Sequence, residues 1–470
     1  MGIVRHFDIC VIGSGSGNSI IDERFADRQV AIIDAGVGPD KLFGGTCLNL
    51  GCIPTKMYVH PADLAASVQH ARDLGIDLTL DGVHWRAVRD RIFGRIDPIT
   101  EAGRQWRTTG MPNVTLLQGR AHFSGLRRLT VVAEDGSTED ITADQVVIAA
   151  GSRVRRPDVP GAEEVTLHSS DTVMRIDELP RRMVILGGGF VAAEFAHLFS
   201  AFGVEVTVVS RSGALLRRED EDVSRRFTQS LSERCTVRLK EHLESFEQLE
   251  DGRIRVNTVG PSGPASYDTD LVLTAIGRTR NGDTLATEAT GLELAADGRI
   301  PVDKYQRTPV QGIWALGDVS SEHLLKHVAN AEARTVQHNL LSPHHPVATD
   351  HRYVPHAVFG SPQVAAVGLT EQAARALGIT YVSAVQQYGD VAYGWAMEDT
   401  GHFCKLLADP VTGHLLGAHI IGPEASILIQ PVLQAMSFGL DVRAMARGQY
   451  WIHPALTEVL ENALLALPLD

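Results

Sequence analysis

Short apolar runs that stop on glycine punctuate this chain. FDICVIG (residues 7–13), VVIAAG (146–151), RMVILGGG (182–189), LVLTAIG (271–277) and IWALGD (313–318) share one form. A continuous apolar run with a glycine stop predicts a buried strand entering a tight turn. Segments of helical period lie between them, so the pattern is that of α/β units built on parallel sheets.

Residues 7–12 lead into Gly13-x-Gly15-x-x-Asn18, and the next apolar run, residues 30–33, ends on Asp34. Strand, glycine turn, helix and a second strand ending in an acid form the dinucleotide-binding pattern. Gly13 permits the tight turn, and Gly15 lets backbone N–H groups approach a pyrophosphate. The helix N-terminus favours negative charge, and Asp34 can accept from a ribose hydroxyl. Asn18 stands where the third glycine is usual.

Residues 182–189 repeat the device, with Gly187-x-Gly189-x-x-Ala192 opening a second helix. The strand that follows ends on Ser210 and Arg211 instead of an acid, with Arg217 a turn further on. Arginines there attract a 2′-phosphate through charge-assisted hydrogen bonds, whereas an acid would repel it. The second fold is therefore expected to take NADPH. The runs ending at Gly151 and Gly277 carry the chain out of the first fold and back. The expected architecture is α/β. Residues 1–152 and 277–348 form the first nucleotide domain, residues 153–276 the second, inserted one, and residues 349–470 a C-terminal α+β domain. The stretch LLSPHHPVATDHRYVP marks the last boundary. Its histidines lack a regular ligand spacing, which predicts a solvated linker and no metal site.

Composition narrows the class. The chain has 470 residues, 44 of them glycine, and only 6% aromatic residues, which suits an α/β enzyme with many tight turns. A formal net charge of −14 argues against a nucleic-acid surface. There is no charged-then-apolar leader and no apolar run near about 18 residues, so a cytoplasmic protein without a membrane span is expected.

Two of the five cysteines, Cys47 and Cys52, sit in GGTCLNLGCIPTK. In an ideal helix, Cα atoms five positions apart are roughly 8.7 Å apart. A disulfide needs less than about 7 Å. A bonded pair therefore requires a distorted helix, for which Gly51 supplies backbone freedom, while Pro54 suits a first helical turn. Cys10, Cys235 and Cys404 lie in or beside apolar strand-like runs and read as inert hydrophobes. A single close pair in a cytosolic chain points to redox chemistry. Two nucleotide folds then fit a nicotinamide, which delivers hydride, and a flavin, which passes electrons to sulfur. Near the C-terminus, His453-Pro454 is expected to start a helix with Glu458 about a turn along it, so that the carboxylate orients the imidazole for acid/base work.

These motifs together resemble the pyridine nucleotide–disulfide oxidoreductases over essentially the whole chain. The resemblance implies FAD in the first domain, NADPH in the second and a homodimer formed through the third. It implies that Cys47 attacks the substrate disulfide and that Cys52 lies against the flavin as a charge-transfer thiolate. Lys56 pairs with Glu194 near the flavin's reactive nitrogen, and Asp318 binds the ribityl chain. Gly45, Thr46, Gly151 and Gly277 belong to the cofactor contacts. His453 and Glu458 form an acid/base dyad supplied by the other subunit. GSGSGNSIIDERFA, FGRIDPI, SDTVMRIDELP, YGDVAYGWAMEDT and GQYWIHPALTEVLENALL look most like the branch that reduces mycothione, which implies that small-molecule disulfide as substrate. Glutathione-type reductases and NAD-dependent dihydrolipoamide dehydrogenases are the alternatives. Arg95, Asp97, Tyr393 and Trp395 are suspects for contacts to the sugar part of the substrate.

Overall fold

A computed structural model describes residues 4–469. The first glycine-stopped runs lie side by side. Val114–Gln118, Val30–Asp34, Arg5–Ile12, Thr138–Ile148 and Ile313–Ala315 pair in parallel in that order. The antiparallel strands Arg120–Gly125 and Arg128–Val132 extend this seven-stranded sheet along the first half of Thr138–Ile148. Ile9, Cys10, Val11 and Ile12 are buried because apolar layers cover both faces, as a parallel sheet requires.

The chain leaves through Ser152–Val154 and returns through Arg278–Arg280, which pair antiparallel. Between them stands a second parallel sheet, in the order Thr236–Leu239, Glu205–Ser210, Arg182–Leu186, Leu271–Thr274 and Leu167–His168. An antiparallel meander, His242–Gln248, Ile254–Gly260 and Gly263–Thr269, packs beside it. The C-terminal sheet is antiparallel, ordered His356–Val358, Val364–Gly368, Leu415–Ile421, Phe403–Ala408 and Val382–Gln387, with helices Ala425–Phe438 and Glu458–Leu465 against it.

Three local expectations are corrected. The first glycine motif does not open an α-helix: the chain makes only two 3₁₀ turns, Gly17–Ile20 and Glu23–Phe25. His453-Pro454 does not start a helix either; the helix begins at Glu458 itself. The histidine-rich stretch is more than a solvated linker. Its His351 Nε2 lies 3.1 Å from the buried carboxylate of Glu332, and Asn339 bonds both main-chain groups of Val347. A buried carboxylate needs such a partner.

Candidate active site

The two sheets and the helices between Asp34 and Val114 enclose a cleft of about 480 Å³. Gly13, with φ 107°, turns the chain where a Cβ would strike Ala149 O at 2.3 Å. Gly15 approaches Gly45 so closely that a Cβ on Gly45 would stand 2.6 Å from Gly15 Cα. Both glycines line the cleft with Thr46, Gly151 and Asp318. The N–H groups of Gly15 and Ser16 donate to no backbone or side-chain acceptor among the described residues, an arrangement suited to phosphate oxygens. Asp34 accepts from Ser14 N at 3.2 Å, and burial raises its pKa. Asp318 accepts from Ser152 Oγ at 2.5 Å, and Arg278 Nε donates to that hydroxyl at 2.7 Å. Asn18 does not line the cleft. Its side-chain Oδ1 accepts from Arg107 Nε at 2.7 Å.

The cysteine segment breaks into two helices, Gly45–Asn49 and Cys52–Asp73. The break falls at Leu50–Gly51, and a Cβ on Gly51 would meet Thr46 O at 3.1 Å. Pro54 sits in the first turn of the second helix, where no N–H bond is lost. The break is the distortion that sets two thiols five positions apart on the wall of one cleft. Both are free thiols lining the cleft. The neighbouring Cys47 thiol, with Lys56 nearby, pulls the Cys52 pKa down to about 7. Cys52 in turn, with burial, pushes Cys47 up. The two thiols of one short segment are thus unequal. Cys10 and Cys404 are fully buried and pushed up to about 12, and burial also raises Cys235.

Lys56 lies one turn beyond Cys52 and places Nζ 2.7 Å from both oxygens of Glu194. Glu194 is nearly buried and also accepts from Phe359 N at 2.9 Å. This pair ties the thiol helix to helix Phe190–Ala201 of the second sheet and to the C-terminal domain. Gly189 caps helix Phe190–Ala201, and a Cβ on Gly187 would meet Ala275 O at 2.3 Å, so strand and turn pack closely there. Gly277, with φ 116°, turns the chain back towards the first sheet. Ser210 is buried, whereas Arg211 and Arg217 are exposed and have no hydrogen-bond or carboxylate partner among the described residues. Beside the glycine turn, their charge is available to an anion.

His453 Nδ1 bonds Glu458 Oε1 at 2.7 Å, and the carboxylate's other oxygen accepts from Ala455 N. The imidazole is 71% exposed. No histidine lines the thiol cleft of the same chain among the described residues, so the dyad is assembled but stands apart from the sulfurs. Asp97 is paired with Arg175 at 2.6 Å; Arg95, Tyr393 and Trp395 are exposed, and none of the four lines the cleft. Sequence reasoning missed Arg107, the Phe359 N–H and Lys326, whose Nζ reaches Ser16 Oγ at 2.8 Å. No motif marks these residues, because each acts across a long loop.

Residues 7–335 match the family described as pyridine nucleotide-disulphide oxidoreductase, and residues 354–464 match its dimerisation domain. The chain is 51% identical to mycothione reductase of Mycobacterium tuberculosis, with 98% of this chain and 99% of that protein aligned. It is 32% identical to a dihydrolipoyl dehydrogenase of Halobacterium salinarum, over 97% and 95% of the two chains. The solved structure of a Cu(II) complex of RclA, an HOCl-induced flavoprotein disulfide reductase of Escherichia coli, superposes with a TM-score of 0.85. It is 27% identical and covers 98% of this chain and 99% of its own. The chain belongs to the pyridine nucleotide-disulphide oxidoreductases.

Proposed function

We propose that this protein is a homodimeric flavoprotein that uses NADPH to reduce mycothione, the disulfide of mycothiol, to two mycothiols. The observation that carries the reading is the polarised thiol pair in the cleft: Cys52 is drawn down to about 7 by Cys47 and Lys56, while Cys47 keeps its proton. Identity of 51% to a mycothione reductase over nearly the whole chain supports the substrate.

The cleft fits FAD: the unpartnered N–H groups of Gly15 and Ser16 suit its pyrophosphate, Asp34 a ribose, and Asp318 the ribityl chain. Arg211 and Arg217, free of other partners, suit the 2′-phosphate of NADPH. Bound FAD supplies the route for two electrons from the nicotinamide to sulfur. The chain's own groups do the rest. With the pair reduced, a base removes the Cys47 proton, and Cys47 attacks one sulfur of the substrate. A mixed disulfide forms, and the first mycothiol leaves as a thiolate that takes a proton. Cys52, already a thiolate, attacks Cys47, releasing the second mycothiol and restoring the Cys47–Cys52 disulfide. Cys47, with its raised pKa, needs that base, and no histidine among the described residues lines its own cleft. His453 of a second copy, oriented by Glu458, fills the role.

The reading implies a cytoplasmic protein, where thiol pools are kept reduced. No described helix is long and apolar enough to cross a membrane. The test is steady-state turnover with NADPH and with NADH against mycothione, glutathione disulfide and lipoamide. Mycothione with NADPH should give the highest kcat/KM. Preference for lipoamide with NADH would replace the reading with a dihydrolipoyl dehydrogenase.

A further inference from the structure

The turn opened by Gly13 lacks the helix that ordinarily favours a pyrophosphate there. It stops after Gly17–Ile20. Behind it lies Arg107, in the π-helical turn Trp106–Gly110 that ends helix Trp85–Gln105. Arg107 is 6% exposed. Its Nε donates to Asn18 Oδ1 at 2.7 Å, and its Nη2 to Asn18 O at 2.5 Å and Ile21 O at 2.9 Å. Its Nη1 lies 2.7 Å from Met111 Sδ. Every one of these partners is neutral, and no carboxylate stands within 4 Å among the described residues. The charge of Asp22 reaches the guanidinium from further off, and that carboxylate is held by Arg24 and Gln337.

A buried cation without an anion is costly and calls for compensation. We infer that Arg107 is a positioning residue for the FAD pyrophosphate. Its guanidinium binds the carbonyl end of the truncated turn and fixes the N–H groups of Gly15 and Ser16 towards the cleft. Its full charge replaces the roughly half charge that a complete helix would present. The pyrophosphate, across the turn, is the anion that balances it. Asn18 then has a purpose that glycine lacks: its Oδ1 is one of the guanidinium's acceptors. This inference rests on FAD binding in the cleft.

The experiment dilutes the purified holoenzyme and reads release of fluorescent free FAD, for wild type, Arg107→Met, Arg107→Gln and Arg107→Lys. NADP⁺ binding by the same proteins serves as a control in the other domain. Loss of the charge should raise the FAD Kd by about 3- to 30-fold in the Met and Gln variants, the range for a partly buried charge acting at a helix end without touching the anion. Lys, which keeps the charge, should bind FAD clearly more tightly than either, and NADP⁺ affinity should stay at the wild-type value. If Met fails to fold, the Lys and Gln pair decides the matter. Neutral variants that hold FAD within about twofold of wild type, or Lys as weak as Gln, would overturn the inference. A wild type without FAD would overturn the functional reading as well.

Discussion

Cys47 and Cys52 differ by environment, although both are thiols of one short segment. Cys52 lies beside the Cys47 thiol and near Lys56, and its pKa is lowered to about 7. A group with a lowered pKa is charged above it, so in the reduced enzyme Cys52 alkylation should rise through pH about 7. Cys47→Ala removes that neighbour, and the midpoint should move up towards the ordinary thiol value of about 8.5. An unchanged pH profile in that variant would assign the activation to Lys56 alone. At the second nucleotide fold, Arg211→Ala should lower kcat/KM for NADPH by about 10- to 150-fold, the equivalent of a charge-assisted contact of about 1.5–3 kcal/mol. The loss should fall mainly on KM, because the phosphate is remote from the reacting carbon. NADH kinetics should hardly change, and equal losses for both nucleotides would mean that Arg211 does not hold the phosphate.

Among elements, those encoded by local chemistry were legible in the sequence. Each glycine stop marks a strand end because positive φ or close packing admits nothing larger, as at Gly13 and Gly187. A distorted cysteine helix was expected for a bonded pair, and the break at Leu50–Gly51 is present with both thiols free. One misreading and one omission came from long-range partners. The helix expected after Gly15 is interrupted where Arg107, 89 positions from Asn18, takes over its carbonyls. The lock between the second nucleotide fold and the C-terminal sheet left no trace in the sequence. Lys405, 3% exposed, bonds Asp220 at 2.8 Å, Asp222 at 2.6 Å and Glu371 at 2.6 Å. Lys405 and Asp220 are 185 positions apart, and no periodicity reports such a meeting. Burial alone would raise the Glu371 pKa, but hydrogen bonds from Lys405, Arg375 and Tyr381 hold it at about 2. A depressed carboxylate stabilises the fold above its unfolded value of 4.5, and that contribution is lost as pH falls towards 2. Lys405→Met should cost about 3–5 kcal/mol, because it leaves acids facing one another without their cation. Urea unfolding checks this, and a midpoint within error of wild type would show the lock to be dispensable.

For the whole molecule, the question is how a dyad on one domain reaches thiols on another. His453 is 71% exposed, and beside it in the chain Tyr450 and Ile452 present large apolar surfaces to solvent. Such a face on the dimerisation domain is suited to burial against a second copy. The expected active site therefore joins Cys47 and Cys52 of one chain to His453 and Glu458 of another. Hybrid dimers test this most directly. Cys47→Ser homodimers should be inactive with mycothione, and His453→Ala homodimers slower by about 10²–10⁴, the range for losing a general acid/base. When the two variants are co-expressed under separate tags and the mixed dimer is isolated, one of its two sites should combine an intact thiol pair with an intact dyad. The account predicts that this hybrid recovers about half of wild-type activity. A hybrid no more active than the average of its parents would place thiols and imidazole in the same chain's site and contradict the shared-site account.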